Sequence, residues 1–364
     1  MVNQMTFKIE FTLILLLASI ITCNAAETSG ASKKSAAPPS QSSVTVYNMA
    51  GLLAAISSIE WPGVITLAPG VYKTKDTITI NGKNGVSIVG SGWDSVIQKI
   101  GDGDALVLKD CGFSFVRNLR IEGDPKAKTG SGLVMKDQCS SDTIDSCMFS
   151  GFPVSGLRFE GVNTGAQSSN TLKDCMFIDN AGDQLWSYSN NDFYMVGNTF
   201  GVKKRLGKNA PRTGIVLDHS SAGTFTMNKC SGNRVGMRMG PASHYNRIEN
   251  NLFRDSLESG MVLGVLGADG CYLTIIAGNT IAMNSSAKSG DYPGVDAVNT
   301  VQTTFTTNQI SSRGSKTRKH MSGLVIGKGC GTWTVKDNII SDNTEKPIVF
   351  DESAGHIIKD NITD

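Results

Sequence analysis

The sequence predicts an all-β protein wound as a coil of about ten turns. Each turn carries three short strands stacked in parallel on their equivalents above and below, and a helix closes the N-terminal end. Three observations predict this. The first is a bend column: Cys147-Met148-Phe149, Cys175-Met176-Phe177, Asn198-Thr199-Phe200, Asn251-Leu252-Phe253, Asn279-Thr280-Ile281, Asn308-Gln309-Ile310 and Asn338-Ile339-Ile340. Leu119 begins the column, Cys230 fills one place in it, and the intervals run from 21 to 32 residues. The second is a glycine-opened strand: Gly132-Leu133-Val134-Met135, then the same pattern from Gly156, Gly214, Gly236, Gly260 and Gly323. Asp183, Val295 and Pro347 open the strands between. The third is that each unit reads as three period-2 runs without a helical window.

In chain order, residues 1–25 read as a secretory signal. Lys8 precedes an apolar run from Phe11 to Ile21, and Cys23-Asn24-Ala25 supplies small residues for cleavage. That run is too short for a confident membrane span, so the expected location is secreted, periplasmic or cell-surface. Residues 26–43, rich in Ser, Ala and Pro, read as a flexible linker. The coil domain then runs over 44–364. Asn48 is placed to cap a helix from Met49 to Ile59, with Leu52, Leu53 and Ile56 on its apolar face. Such a helix would cover the open edges of the first turn. The bend column suits Asn, which tolerates left-handed backbone and whose amides can bond along the stack. The chain ends in a half-unit, GHIIKDNITD, without an evident cap.

Composition agrees: 40 glycines in 364 residues serve tight bends. A net charge of +2 argues against a nucleic-acid protein. Seven of the eight cysteines lie beyond the signal. Cys111, Cys139, Cys271 and Cys330 each precede the bend column by eight residues. Cys111 and Cys139 therefore stack on adjacent turns, close enough for a disulfide, whereas Cys271 and Cys330 are two turns apart, about 10 Å. Cys147, Cys175 and Cys230 read as buried fillers. No spacing suggests zinc.

On these repeats, and on VITLAPGVYKTKDTITI followed by GVSIVGSG at the start of the coil, residues 44–364 resemble the right-handed, single-stranded parallel β-helix proteins, pectate-lyase-like in the broad sense. The resemblance implies a secreted carbohydrate-active protein. That group contains lyases, glycosidases, epimerases and members without known catalysis. The polygalacturonase-like motif set is absent.

Outward positions of the glycine-opened strand can be read turn by turn. The first column reads Val107, Val134, Arg158, Trp186, Val216, Arg238, Val262, Ala297, Val325 and Val349. The second reads Lys109, Lys136, Glu160, Tyr188, Asp218, Gly240, Gly264, Asn299, Gly327 and Asp351, with His219 following Asp218. A block stands out in the middle. Trp186 offers a face for a sugar, Arg158 and Arg238 offer guanidiniums for carboxylates, and Glu160, Tyr188, Asp218 and His219 offer acids and bases. Lys136, Lys203, Lys204 and Arg205, with Lys208 and Arg212, would line an anionic polysaccharide. So would a second basic loop holding Arg313, Lys316, Arg318, Lys319 and His320. The bland alternative is a solvated face, and His244 reads as a bend residue.

Three functions follow. Elimination on a uronic-acid polysaccharide ranks first. Arg158 or Arg238 would neutralise the carboxylate, or Ca²⁺ held by Glu160 and Asp218 would do so, with Tyr188, His219 or an arginine as base. An inverting glycosidase using Glu160 and Asp218, about 10 Å apart on alternate turns, ranks behind it among enzymes. A non-catalytic glycan-binding or surface coil is the remaining reading.

Overall fold

The computed structural model describes residues 42–60, 62–162, 167–201 and 212–364. The signal and all but the end of the linker lie outside the described residues, as do Lys203, Lys204, Arg205 and Lys208. The coil starts at Ser42–Val46, two residues before the expected boundary.

Three parallel sheets, of thirteen, eleven and twelve strands, run the length of the coil. They are called here the first, second and third sheet. Successive strands pass from sheet to sheet, so neighbours within a sheet come from successive turns. The count slightly exceeds the expected ten because residues 42–104 add turns of their own: Ser42–Val46 pairs with Gly63–Leu67, which pairs with Val86–Gly90.

The helix Met49–Ser58 stands before the first full turn. Asn48 caps it, its side chain accepting from the Gly51 N–H at 2.9 Å. Leu52, Ala55 and Ile56 are buried, whereas Leu53 is exposed, so Ala55 takes the place expected for Leu53. Lys83 Nζ donates to the Ile56 and Ile59 carbonyls at 2.7 and 3.0 Å, putting a cation at the negative end of the helix. Among the described residues no helix is long and apolar enough to cross a membrane.

Inside the coil every turn repeats the same contacts. In the third sheet Phe149, Phe177 and Phe200 align across successive turns. Their rings stack at 4.8 Å with interplanar angles of 9° and 13°. Cys230 pairs with Phe200 and Phe253, so it belongs to this apolar ladder. The bend column instead takes Asn228 in that turn. From Asn198 the side-chain amides form an unbroken chain. Each Nδ2 donates to the next Oδ1 through Asn228, Asn251, Asn279, Asn308, Asn338 and Asn361, at 2.8 to 3.1 Å. Each Oδ1 also accepts the backbone N–H of the preceding asparagine, leaving few buried amide groups unpaired. The left-handed residue is the one before: Gly197, Met227, Asn250 and Asp337 have φ between +53° and +69°. Asparagine is therefore in the column for its two-sided hydrogen bonding, not for its backbone tolerance.

The seven described cysteines are buried thiols. Cys111 and Cys139 lie on adjacent turns, beside the bridge between Gly112 and Ser140. Thr300, which pairs with Cys271 and contacts the Cys330 thiol at 3.2 Å, separates the other two.

Candidate functional site

The outer face of the second sheet carries the block read from the sequence. Strands Ser131–Lys136, Ser155–Glu160, Asp183–Tyr188, Thr213–Asp218 and Val235–Met239 pair in order. Leu157, Leu185, Ile215 and Met237 point into the core and are fully buried. The alternate residues Arg158, Trp186, Val216 and Arg238 are therefore stacked on the outside, one per turn. Glu160, Tyr188 and Asp218 form the next column. The outward columns lose register once, and the glycine place is misassigned twice: Gln184, not Asp183, aligns with Gly156. Val262 pairs with Asp296 and Leu263 with Ala297, so Asp296 faces out and Ala297 is buried. Gly294, not Val295, holds the glycine place there, since a Cβ on Gly260 would meet the Gly294 carbonyl oxygen.

The side chains make one connected group. Glu160 pairs with Arg158 and, at 3.8 Å, with Lys136 at the exposed edge. The Arg158 guanidinium lies 4.9 Å from the centre of the Trp186 ring. Trp186 stacks on Tyr188, centroids 5.6 Å apart and planes within 7°. The Tyr188 ring is 5.2 Å from the His219 ring. His219 Nδ1 meets Asp218 Oδ1 at 2.7 Å. His219 sits at the bend after the strand with φ +48°, in a row of left-handed residues that includes Asp137 and Ser189, and the bend leaves its ring beside Tyr188. Arg238 is exposed, two turns from Trp186, and makes no ion pair among the described residues.

Each ring of the stacked Trp186–Tyr188 pair lines an open depression of its own. One, of about 620 Å³, is lined by Tyr188, Asn191, Asp192, His219, Ser221 and Ala242 among others. The other, of about 330 Å³, is lined by Asp183, Trp186, Arg212, Thr213, Arg234 and Arg238 with two valines. The outward columns of the sequence do not point to Asp183, Arg234, Asn191, Asp192 or Ser221. Asp183 carried a signal nonetheless, since its partner in the neighbouring turn is Ser155. Burial pushes the Asp183 carboxyl up, opposed by a hydrogen bond from Thr213 and by the charges of Arg212 and Arg238. His244 is more than a bend residue: it stacks on Tyr272 at 3.5 Å and 19°. Burial holds its imidazole below the usual range.

Other expected partners do not come together. Tyr188 lies in register between Glu160 and Asp218, and each carboxylate already has a side-chain partner. Among the described residues no three His, Cys, Asp or Glu side chains converge on a metal position. The basic loop near residue 318 is partly consumed by the fold. Arg318 pairs with Asp255 at 2.7 Å, and His320 is wholly buried, its Nε2 accepting from the Asn284 N–H at 3.2 Å. Burial depresses the His320 pKa to about 4.

The family pattern described as "Right handed beta helix region" matches residues 131–274 and 203–363, more than half of the chain. The chain belongs to this family. A search of curated proteins by sequence finds no match. Among solved structures, the A-module of the mannuronan C-5 epimerase AlgE4 from Azotobacter vinelandii is similar, with 15% identity and a TM-score of 0.68. That likeness covers 87% of this chain and 95% of that one. The PL6 family alginate lyase AlyGC has 15% identity and a TM-score of 0.58, over 88% and 51% of the two chains. The Dettilon tailspike protein has 14% identity and a TM-score of 0.63, over 86% and 64%. The β-helix thus spans less than two thirds of that tailspike's length. At these identities the likeness is one of fold.

Proposed function

We propose that this β-helix protein is exported and cleaves a uronic-acid polysaccharide by β-elimination. The observation that carries this reading is the Asp218–His219 pair set against Tyr188, beside a tryptophan and an unpaired arginine. With Nδ1–H donating to Asp218, the His219 Nε2 lone pair serves as base. It takes the C5 proton, next to the carboxylate. The electron pair moves toward the carboxylate, where Arg238 stabilises the negative charge. It then returns to form the C4=C5 double bond as the C4–O bond breaks, and the Tyr188 hydroxyl gives its proton to the leaving oxygen. Trp186 holds a sugar face. Arg158 is less suited to the carboxylate because Glu160 already holds it. Two of the structures with this fold bear names of enzymes acting on mannuronan or alginate, which supports an acidic polysaccharide.

Hydrolysis through Glu160 and Asp218 is less favoured, because Tyr188 occupies the register between them. A glycan-binding coil without catalysis remains the competing reading. Purified protein is mixed with polygalacturonate, alginate and neutral glycans, with and without a chelator. Elimination produces an unsaturated sugar absorbing in the ultraviolet together with new reducing ends. Reducing ends without that absorbance indicate hydrolysis, and binding without either indicates the non-catalytic reading. Loss of rate on chelation would assign the neutralising role to Ca²⁺ in place of Arg238.

A further inference from the structure

The depression beside Arg238 holds more positive charge than the reaction requires. Arg212 and Arg234 precede the paired residues Thr213 and Val235, so they sit on adjacent turns about 4.8 Å apart. With Arg238 they place three guanidiniums around one opening whose wall is Trp186. Among the described residues two carboxylates answer them: Asp183, and Glu258, which is 3.2 Å from Arg234. Arg212 closes no ion pair among the described residues. Asp183 receives a hydrogen bond from Thr213 at the base of the same opening, and its burial works against its negative charge. The pocket is therefore left electropositive, and its planar donors suit two-point contact with a carboxylate.

We propose that Asp183, Arg212, Arg234 and the Trp186 wall form a second subsite, which reads the carboxylate of the uronate next to the one that reacts. The inference rests on the elimination reading and adds to it. The enzyme would require two consecutive acidic sugars, one over Tyr188 and His219 and one at the arginines. Asp183, which lines the opening, acts as a positioning residue whose charge attracts Arg212 and Arg238.

The test uses whichever of polygalacturonate or alginate the wild type cleaves, in its free-acid and partially methyl-esterified forms. In the double variant Arg212→Gln, Arg234→Gln, KM for the free-acid polymer should rise about tenfold or more, the size of a lost charge-assisted contact, with kcat within about twofold. The wild type should prefer the free acid over the ester, and the variant should lose that preference. Asp183→Asn should raise KM less and leave kcat near its starting value. An unchanged thermal midpoint shows that the variants fold. A double variant that keeps the wild-type KM and ester preference overturns the subsite while leaving the reaction intact. A wild type that produces no unsaturated sugar from either polymer overturns the reaction, and the subsite with it.

Discussion

Within the second sheet, the turns from Leu157 to Met239 and those from Met261 to Phe350 share one interior and differ in their exteriors. Inside, both present fully buried aliphatic side chains: Leu157, Leu185 and Met237 in the first group, Met261, Val295 and Leu324 in the second. Outside, the first group shows Arg158, Trp186, Val216 and Arg238, and the second shows Val262, Asp296, Val325 and Val349. The backbone asks the same of every turn, so the interior repeats. Nothing in the backbone asks for a tryptophan between two arginines on the outside. The departure from the repeat on the solvent face is therefore not a requirement of the winding.

The largest expected effect falls on the reaction. His219→Ala should lower kcat on the cleaved polymer by about 10²–10⁴-fold, as for loss of a general base, while Val325→Ala on the bland turns changes it by less than twofold. Equal loss in both variants would erase the contrast. The second effect breaks the shared interior. Asn251 makes four side-chain hydrogen bonds, with the Asn228 amide and backbone, the Phe225 carbonyl and Asn279. Asn251→Leu orphans several buried groups and should cost about 3–5 kcal/mol in denaturant unfolding.

The third concerns pH. His320 has a folded pKa of about 4, below the ordinary 6.5, so the folded state binds its proton less readily than the unfolded chain. Its contribution is intact above about pH 6.5 and is lost as pH falls toward about 4, by up to about 3 kcal/mol. The buried Nε2 can no longer accept the Asn284 N–H once protonated. His320→Gln should flatten the thermal midpoint between pH 4 and 7; an unchanged slope contradicts this assignment. The smallest effect is Trp186→Ala. Half-exposed on the sheet, it should leave stability within about 1 kcal/mol and weaken polymer binding about tenfold, read by titration calorimetry on the His219→Ala background.

The winding and the outward columns were legible because both obey fixed periods. Phe149, Phe177 and Phe200 recur with the turn, and Trp186 follows from alternation along its strand. Legibility failed where the period is interrupted. The connection from Met283 to Gly294, between the strands Thr280–Ala282 and Val295–Ala297, carries no alternation to hold register, so spacing alone places Asp296 one residue out. Cys230 was misplaced because a small residue fits either ladder, and only the pairing with Phe200 decides between them. Asp183, Arg234 and Ser221 were missed because they belong to strand starts and corners, where neighbours are set by the stacking of turns rather than by spacing in the chain. Spacing likewise gives the turn separation of Glu160 and Asp218 but not the partners each carboxylate takes, Arg158 for one and His219 for the other.

From Asn198 to Asn361 every amide hands its hydrogen onward in the same direction. A turn bearing asparagine at that place can thus be lifted out, copied or spliced in, and its neighbours will find the acceptor and donor they had before. Such a molecule can lengthen its surface by duplication without renegotiating its interior. Its working face is then free to drift residue by residue while the scaffold underneath stays interchangeable.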